Sequence, residues 1–402
     1  MHSIEPYFWV LATFPHVSKT QAINKFYIPD ILVKWPWRVH LNPAYKEQKA
    51  LSSAWFRSFN AFDPSSQKAF DLCDFGLLAA YVYPHAEAAH LRSGCDLMNC
   101  FFLFDEYSDV AEPDVVRKQA DVIMDAIRHP HIPRPKGEFI GGEAHRQFWE
   151  LAKKGATPTA QRRFIEVYQA YVNSIIQQAI DRADNHIRDV NSYFQVRRDT
   201  IGVKPSFTLL EFTMDIPDEI MEHPVIHEFT MGCVDMLIIQ NDIYSYNVEQ
   251  AVGNDLHNLV TIVMNQYNLD VQGAIDWIGR YNDELADRVL ENYRNLPDWG
   301  PVINPQIHRY CDSVGEWVRG IDSWYFHSWR YFRGKGPEIE KTRWVELMPK
   351  QVAAIIPSPA QSVLLHLKRG FLRSIALQPS LWHLAAASLL VPALGLYLMS
   401  TT

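Results

Sequence analysis

Helical periodicity runs through most of the chain, and it limits the folds that the chain can adopt. Apolar residues recur at intervals of three and four, and no stretch alternates apolar and polar residues as a half-buried strand would. The pattern predicts ten helices, over 45–60, 69–82, 85–109, 114–128, 143–154, 157–187, 225–250, 256–267, 270–294 and 305–331. Helices joined by short connections bury their apolar faces in a bundle. The sequence therefore predicts an all-α, single-domain bundle.

The two ends of the chain differ from this helical region. Residues 28–44 contain three prolines, which indicate an extended lead-in segment without regular helix. Residues 351–402 follow the last predicted helix, and we expect them to form a separate C-terminal extension. The predicted organisation is therefore one domain over residues 1–350, which includes a lead-in segment at 1–44, and an extension at 351–402.

The extension contains an apolar tail at residues 381–400, which carries no charged side chain. A stretch of this length can span a bilayer, and the basic residues Lys368 and Arg373 before it suit a cytosolic flank. The alternative is a helix or tail that folds onto the domain, and Pro392 and Gly395 weaken either helix. The first 20 residues lack the basic and apolar regions of a signal peptide. We expect a cytoplasmic protein, and a membrane-associated tail is kept as a hypothesis.

Charge and motif content exclude several classes of function. The net charge of −8 argues against a nucleic-acid surface, which would need clustered lysines and arginines. The five cysteines lie in apolar stretches without zinc-ligand spacing, so we expect buried, reduced thiols. The chain has no HExxH, GxSxG, P-loop or GxGxxG pattern, which leaves zinc protease, serine hydrolase and nucleotide-enzyme interpretations without support. The sequence leaves the oligomeric state open.

Two polar clusters interrupt the apolar helical runs. The first, DEYSD at residues 105–109, directly follows Phe101 and Phe102 and their neighbours, and it places Asp105 and Asp109 four residues apart. Groups at this spacing lie on the same helix face, about 5–6 Å apart. Two carboxylates near a helix C-terminus face the negative end of its dipole, so a bound cation would compensate.

The second cluster is NDIYSYNVE at residues 241–249, where Asn241, Ser245 and Glu249 repeat every four residues. These side chains also share one helix face. Amide, hydroxyl and carboxylate oxygens are hard ligands of the kind that Mg²⁺ prefers. A buried hydrogen-bond network is the alternative explanation. Two such faces across a cavity would hold a diphosphate through metal ions.

Four segments in this order resemble those of a class I terpene synthase, of the fungal, basidiomycete-type sesquiterpene cyclases. DEYSD matches the family's D(D/E)xxD motif, and NDIYSYNVE matches its NDxxSxxxE motif, with Asn241 136 residues after Asp105. RRDTIG at 197–202 resembles the RRxTxG segment, and Arg330 with Tyr331 resembles an arginine–tyrosine pair near the end of the catalytic domain. The resemblance covers residues 25–350, so it includes all four segments but not the apolar tail.

This resemblance implies a role for each matched position. Asp105 leads the metal ligands, with Asp109 and, less directly, Glu106 beside it. Asn241, Ser245 and Glu249 form a second metal site, and the family uses Mg²⁺, with three ions in each active site. We choose Arg198 as the diphosphate sensor, because a planar guanidinium suits phosphate, and the sequence does not rank it above its neighbour Arg197. Gly202, Arg330 and Tyr331 complete the expected catalytic set, and Asn241 is expected to contact the substrate as well. A wall facing carbocations is predicted from the aromatic residues Phe101, Phe102 and Trp324.

One position departs from the family pattern. Many relatives carry lysine directly before the final glutamate of the second motif, whereas this chain carries Val248. One diphosphate contact is therefore missing or supplied by another residue.

The resemblance implies an expected reaction, in which farnesyl diphosphate is ionised and cyclised with loss of diphosphate. A 1,11-closure to humulyl-derived products such as protoilludene is the expected route. A chain-elongating prenyltransferase is one rival, although it would carry a second aspartate-rich motif. The other rival is an inactive helical scaffold held on a membrane by residues 381–400.

Overall fold

The computed structural model describes residues 25–350. Within this range the chain forms fifteen α-helices and one antiparallel pair of strands. The helices are α1 (Tyr45–Arg57), α2 (Pro64–Leu72), α3 (Phe75–Val82), α4 (Ala88–Ser108), α5 (Pro113–Arg128), α6 (Ile140–Ala152), α7 (Pro158–Ala183), α8 (Val190–Thr200), α9 (Val203–Glu211), α10 (Asp218–Met221), α11 (Pro224–Val252), α12 (Leu259–Tyr267), α13 (Val271–Arg294), α14 (Asn304–His327) and α15 (Gly336–Thr342). The predicted all-α class is confirmed.

Several predicted boundaries are wrong, and local residues explain why. The single helix predicted over 69–82 is split between α2 and α3, because Asp74 adopts a left-handed conformation with φ of 49°. Its carboxylate then accepts a hydrogen bond from the backbone N–H of Leu77 and caps α3. The periodicity predicts neither α8 nor α9, although Asp189 caps α8 through the N–H groups of Asn191 and Ser192.

The strands β1 (Lys25–Tyr27) and β2 (Trp344–Glu346) are also absent from the sequence-based prediction. They pair antiparallel, with Phe26 opposite Val345, and both of these side chains are buried. Three residues are too few for an alternating pattern to emerge from the sequence. The strand pair joins the start of the described range to the segment that follows α15.

The lead-in residues 28–44 contain neither a helix nor a strand, and they are anchored to the helices by their backbone carbonyls. The guanidinium of Arg319, on α14, donates to the carbonyls of Leu32 and Trp35 at 2.7 and 3.0 Å. The amide of Asn282, on α13, donates to the carbonyl of Ile31 at 2.7 Å. One partly buried guanidinium and one buried amide thus hold this segment against the bundle.

Two close helix approaches shape the core. On α11, a Cβ at Gly232 would lie 2.3 Å from a methyl carbon of Val289 on α13, so α11 and α13 pack with little space between them. On α14, a Cβ at Gly320 would lie 2.3 Å from the carbonyl oxygen of Tyr81 on α3. Glycine at these two positions lets the neighbouring helices approach each other.

No helix in residues 25–350 is long and apolar enough to cross a membrane. The tail at 381–400 lies outside the described residues, as do residues 1–24. The predicted division of the chain at residue 350 stays a prediction.

Candidate active site

A cavity of about 280 Å³ lies among α4, α7, α8, α9, α11 and α14. In each of three segments that line the cavity, an apolar lining residue comes first along the chain and a polar lining residue follows it. The apolar and polar residues are Met98 and Asp105 on α4, Leu237 and Asn241 on α11, and Trp317 on α14 with Arg330 just after that helix. The cavity therefore has an apolar interior and a polar end.

The acidic motif of α4 contributes Asp105 and Asp109 to the polar end. Asp105 Oδ2 accepts a hydrogen bond from Arg330 at 3.1 Å, and Asp109 Oδ1 lies 3.8 Å from the guanidinium of Arg182 on α7. Glu106 points elsewhere: it is buried, does not line the cavity, and its Oε1 lies 3.6 Å from Arg330. The structure thus places Asp105 and Asp109 at the cavity and Glu106 outside it, against Arg330.

Burial disfavours the ionised forms of two of these carboxyl groups. Burial, reinforced by the negative charge of Asp105, raises the pKa of Asp109 to about 7, although Arg182 opposes the shift. Burial raises the pKa of Glu106 to about 8, and Arg330 opposes this shift. A divalent cation beside Asp109 would favour its ionised form.

On α11, the residues Asn241, Ser245 and Glu249 all line the polar end of the cavity. The amide of Asn258 donates to Ser245 Oγ at 3.2 Å and to Glu249 Oε2 at 2.9 Å, which fixes both oxygens. Asn258 also caps α12 by accepting from the N–H of Val260. The helix start after the motif therefore sets the positions of two motif side chains.

Burial raises the pKa of Glu249 to about 8, with the neighbouring charge of Asp242 adding to the shift. Its hydrogen bonds to Ser245 and Asn258 act in the opposite direction. The two helix faces offer carboxylate, amide and hydroxyl oxygens. A hard divalent cation prefers such oxygen ligands to softer ones. The donor set therefore fits Mg²⁺ or a similar ion.

The two neighbouring arginines of α8 point to different places, and their placement favours Arg197 over Arg198 as the sensor. Arg198 makes a two-point ion pair with Asp235 at 2.7 Å and does not line the cavity. Arg197 does line it, and its guanidinium donates to Asn241 Oδ1 at 2.6 Å and lies 3.4 Å from Asp242. Adjacent residues on a helix project about 100° apart, so only one of the two arginines reaches the cavity.

Within the described residues, three buried nitrogens that belong to lining side chains have no hydrogen-bond partner. They are Nε of Arg197, Nε2 of His257 and Nε1 of Trp317. Such groups are uncommon in folded proteins, because an unmet buried polar atom destabilises the fold. Burial, together with the positive charges of Arg197, Arg188 and Arg182, holds the pKa of His257 well below its usual range. The polar end of the cavity is thus rich in positive charge.

Gly202 forms the turn between α8 and α9, with a φ of 72° that favours glycine. Space does not require glycine there, since the nearest atoms to an added Cβ would be those of the Phe101 ring at 3.6 Å, an ordinary contact distance. The Gly202 carbonyl accepts a hydrogen bond from Ser206 Oγ at 2.8 Å, and the residue lines the cavity. The conformation of this turn therefore explains the glycine.

Arg330 and Tyr331 both line the polar end, although α14 ends earlier than predicted, at His327. The turn after the helix brings the guanidinium of Arg330 to 4.5 Å from the ring centroid of Phe102. The amide of Asn241 donates to the hydroxyl of Tyr331 at 3.2 Å. The predicted pair is therefore next to both motifs.

The three predicted wall aromatics have different surroundings. Phe101 lines the cavity and stacks on Tyr168, with ring centroids 5.7 Å apart. Trp324 also lines it, and its indole N–H donates to the carbonyl of Cys73 at 2.9 Å. Phe102 lines the cavity too, but it stacks on Phe75 at 3.8 Å and its ring faces Arg330, so it lies at the polar end.

Two residues that support the ligands have no recognisable signal in the sequence. Arg182, on α7, belongs to no recognised motif, yet its guanidinium donates to the carbonyls of Ser108 and Ala111 at 2.7 and 3.0 Å. Asn258 follows Glu249 by nine residues and becomes its neighbour only through the turn before α12. The fold, and not a local pattern, brings both residues to the motifs.

The second motif lacks the lysine of many relatives, and an arginine of another helix lines the same cavity. Val248, at the position where many relatives have lysine, lines the cavity, and so does Arg182. Arg182 lies beside Asp109 at the polar end. A cation from another helix is therefore present at this end of the cavity.

Comparison with known proteins places this geometry in a family. Residues 96–288 match the family described as terpene synthase family 2, C-terminal metal binding. A Delta(6)-protoilludene synthase of Armillaria gallica is 54% identical over 330 residues, which cover 82% of this chain and 96% of that protein. A Delta(6)-protoilludene synthase of Stereum hirsutum is 52% identical over 329 residues, which cover 82% of this chain and 89% of that protein.

Solved structures share the fold at low sequence identity. The germacradien-4-ol synthase of Streptomyces citricolor aligns with a TM-score of 0.63 at 23% identity, over 72% of this chain and 96% of that chain. An α-eudesmol synthase aligns with a TM-score of 0.65 at 21% identity, over 72% of this chain and 97% of that chain. The matched family region is a metal-binding one, which implies that the protein uses a divalent metal. The chain belongs to terpene synthase family 2, and it is a sesquiterpene cyclase, a lyase that acts on a prenyl diphosphate.

Proposed function

We propose that this protein ionises farnesyl diphosphate with the help of Mg²⁺ and cyclises the resulting cation to Delta(6)-protoilludene. The observation that carries the proposal is the division of one cavity into an apolar interior and a polar end with two sets of metal-type ligands. A prenyl diphosphate has the same division, with an apolar chain attached to a highly charged group. Each part of the substrate therefore has a matching part of the cavity.

Arg197 and Arg330 would stabilise the leaving group at the polar end. Ionisation breaks the C1–O bond, and the electron pair leaves with the diphosphate, so negative charge grows on its oxygens. Guanidinium donors fixed near that position stabilise this charge with little reorganisation. The unpartnered Nε of Arg197 is a donor available for this purpose.

Two sets of side chains would hold Mg²⁺, with three ions as the proposed number. The sets are Asp105 and Asp109 on α4, and Asn241, Ser245 and Glu249 on α11. Bound Mg²⁺ supplies Lewis-acid stabilisation of the diphosphate oxygens.

Neighbouring side chains would keep these ligand oxygens in place before the substrate binds. Asn258 holds two oxygens on α11, and Arg182 and Arg330 lie beside the carboxylates of α4. Asn241 would also contact the substrate, since its amide lies between Arg197 and Tyr331. The polar end is thus ordered by the chain itself.

The apolar interior would fold the chain and protect the cation from water. Phe101 and Trp324 present aromatic rings to this space, and a cation over such a ring gains about 0.5–2 kcal/mol when water is excluded. A 1,11-closure gives the humulyl cation, and further closure followed by loss of a proton gives a C15 hydrocarbon. Gly202, at the turn beside Phe101, would couple the diphosphate end to this wall.

The specific product is inferred from the relatives. Several similar proteins at 47–54% identity carry the name Delta(6)-protoilludene synthase, including those of Armillaria gallica and Postia placenta. The alignments with these two proteins cover 94–96% of their own length, which supports a shared product.

The test is gas chromatography with mass spectrometry of the volatiles that purified protein forms from farnesyl diphosphate, with and without Mg²⁺. We expect protoilludene that disappears when EDTA removes the metal. Another cyclic C15 product would refute protoilludene as the product, and the proposed cyclase activity would stand. Products longer than the supplied substrate would indicate the chain-elongating prenyltransferase, and absence of any product from folded protein would favour the inactive scaffold.

The proposed location is the cytoplasm, and the tail at residues 381–400 has two alternatives, association with a membrane or folding onto the domain. The membrane alternative rests on the uncharged composition of this tail and on the basic residues before it. Deletion of residues 376–402 should move the protein from the membrane fraction to the soluble fraction. An unchanged distribution would reject the tail as an anchor.

A further inference from the structure

Three side chains from separate chain segments meet on the surface, outside the cavity. They are His40 of the lead-in segment, His85 of the turn between α3 and α4, and Glu316 of α14. Nε2 of His85 lies 2.9 Å from Glu316 Oε1, and Nδ1 of His40 lies 3.7 Å from the same oxygen. One candidate ligand atom from each residue lies within 4.8 Å of the other two. None of the three residues lines the cavity.

Buried hydrogen bonds fix the backbone on both sides of these histidines. The side-chain amide of Asn42, two residues after His40, donates to the carbonyls of Tyr83 and Ala86 at 2.8 Å each. These two carbonyls flank His85, so one buried amide joins the two histidine-bearing segments. Asn42 is only 1% exposed, which protects this connection from solvent.

The third segment is fixed to the other two by α14. Arg319, three residues after Glu316, donates to the carbonyl of Trp37 at 3.1 Å, next to the segment that carries His40. The close approach of Gly320 to Tyr81 holds α14 against the end of α3. The three ligands therefore stand on a rigid framework, which lowers the entropy lost on binding an ion.

We propose that His40, His85 and Glu316 form a binding site for a divalent transition-metal ion of the Zn²⁺ class. Bonds of about 2.0–2.1 Å in a tetrahedron place neighbouring ligand atoms about 3.3–3.4 Å apart. Glu316 Oε1 lies 2.9 Å from His85 Nε2 and 3.7 Å from His40 Nδ1, on either side of that spacing. Small side-chain rotations would bring both distances to the spacing of a tetrahedral site. Three protein ligands would leave a fourth position for water.

The chemistry of the ligands separates this site from the polar end of the cavity. Imidazole nitrogen suits Zn²⁺, Ni²⁺, Cu²⁺ and Co²⁺, whereas Mg²⁺ prefers a shell of oxygen ligands. The cavity offers carboxylate, amide and hydroxyl oxygens at the two motifs, and the surface cluster offers two nitrogens and one oxygen. Excess Mg²⁺ should therefore fill the cavity ligands and leave the surface cluster available. Binding there would tie the lead-in segment to α14.

The experiment uses untagged, full-length protein freed of metal with EDTA and then held in excess Mg²⁺. Zn²⁺ is titrated by calorimetry, and Co²⁺ by visible absorption, which reports nitrogen ligands in tetrahedral geometry. We expect one ion per chain, and we expect His85→Ala and His40→Ala each to weaken binding at least about tenfold. Zn²⁺ should raise the Tm of the unmodified protein and leave that of His85→Ala unchanged.

His129→Ala is the matched control, because His129 also contacts a carboxylate, at 2.9 Å from Asp125, but belongs to no three-residue cluster found in the described part of the chain. This variant should bind Zn²⁺ like the unmodified protein. The proposal is overturned if unmodified protein binds no Zn²⁺ in excess Mg²⁺, or if both His40→Ala and His85→Ala retain its affinity. His85 is well exposed, so its replacement should leave the fold intact, which circular dichroism checks.

Discussion

The two metal-type faces of the cavity are held in different ways. On α4, the carboxylates of Asp105 and Asp109 are near the cations Arg330 and Arg182. On α11, the oxygens of Ser245 and Glu249 are fixed by the neutral amide of Asn258. Both carboxylates of the α4 face are therefore balanced by positive charge, whereas on the α11 face a neutral amide orders Ser245 and Glu249, and the cation Arg197 donates to Asn241.

This difference indicates separate tasks for the two faces. A neutral donor positions Ser245 and Glu249 without pairing the Glu249 carboxyl with a cation, which suits a metal site formed before the substrate binds. A guanidinium beside Asp105 can change partners, from the carboxylate to a diphosphate oxygen, when metal ions take over the carboxylate. Asp105 is 35% exposed at its side chain and Arg330 only 10%, so the carboxylate is the more accessible partner.

The largest expected effect is that of Asp105→Asn on the α4 face. The amide has the same shape but no charge, so it loses its attraction for the metal and removes the charged partner of Arg330. We expect kcat/KM to fall at least about 100-fold, a loss typical of removing a key electrostatic group. Steady-state kinetics with farnesyl diphosphate measure this, and an unchanged Tm serves as the control. If the folded variant had the same kcat/KM as the unmodified protein, Asp105 would not be a metal ligand.

The second prediction uses the adjacent arginines of α8 as a matched pair. Arg197→Lys should lower kcat/KM by about 10–100-fold, because lysine loses the planar donors that face Asn241 and the cavity. Arg198→Lys should change kcat/KM by less than about threefold, and weaken the fold by about 1 kcal/mol through Asp235. Kinetics and urea unfolding of both variants separate these effects. The reverse order of activities would restore Arg198 as the sensor.

The shared helix faces of the candidate ligand residues were predictable because helical spacing is a local property. Asp105 with Asp109, and Asn241 with Ser245 and Glu249, needed only a continuous helix to share a face. The structure places both sets at the cavity. The fold class followed from the same periodicity over the whole chain.

The groups that support the ligands were not predictable, because they depend on how distant segments meet. Which of Arg197 and Arg198 faces the cavity depends on the rotation of α8 about its axis. A sequence motif that contains both arginines does not indicate that rotation. Asn258 becomes a neighbour of Glu249 through the turn that Gly253 begins, with φ of 79°. Strands of three residues, as in β1 and β2, carry too little pattern to be recognised.

The third prediction concerns the neutral support of α11. Asn258→Ala removes the donor that orders Ser245 and Glu249, and we expect the Mg²⁺ concentration for half-maximal activity to rise about tenfold. The residue also caps α12, so Asn258→Ser, which can still cap a helix, is the variant that separates the two roles. Titration of activity with Mg²⁺ checks both variants. An unchanged Mg²⁺ requirement in Asn258→Ser would show that capping, not ligand positioning, is its contribution.

A small effect is expected for Glu106→Gln, because Glu106 lies in the same motif as Asp105 but outside the cavity. Glutamine has nearly the same shape, and it can still accept a hydrogen bond where the Glu106 carboxyl lies 3.6 Å from Arg330. We therefore expect kcat/KM to change by less than about fivefold, against at least about 100-fold for Asp105→Asn. Kinetics of the two variants at equal Mg²⁺ make the comparison. An equal loss in both would mean that the α4 face acts through the total charge around Arg330, and not through carboxylates that reach the cavity.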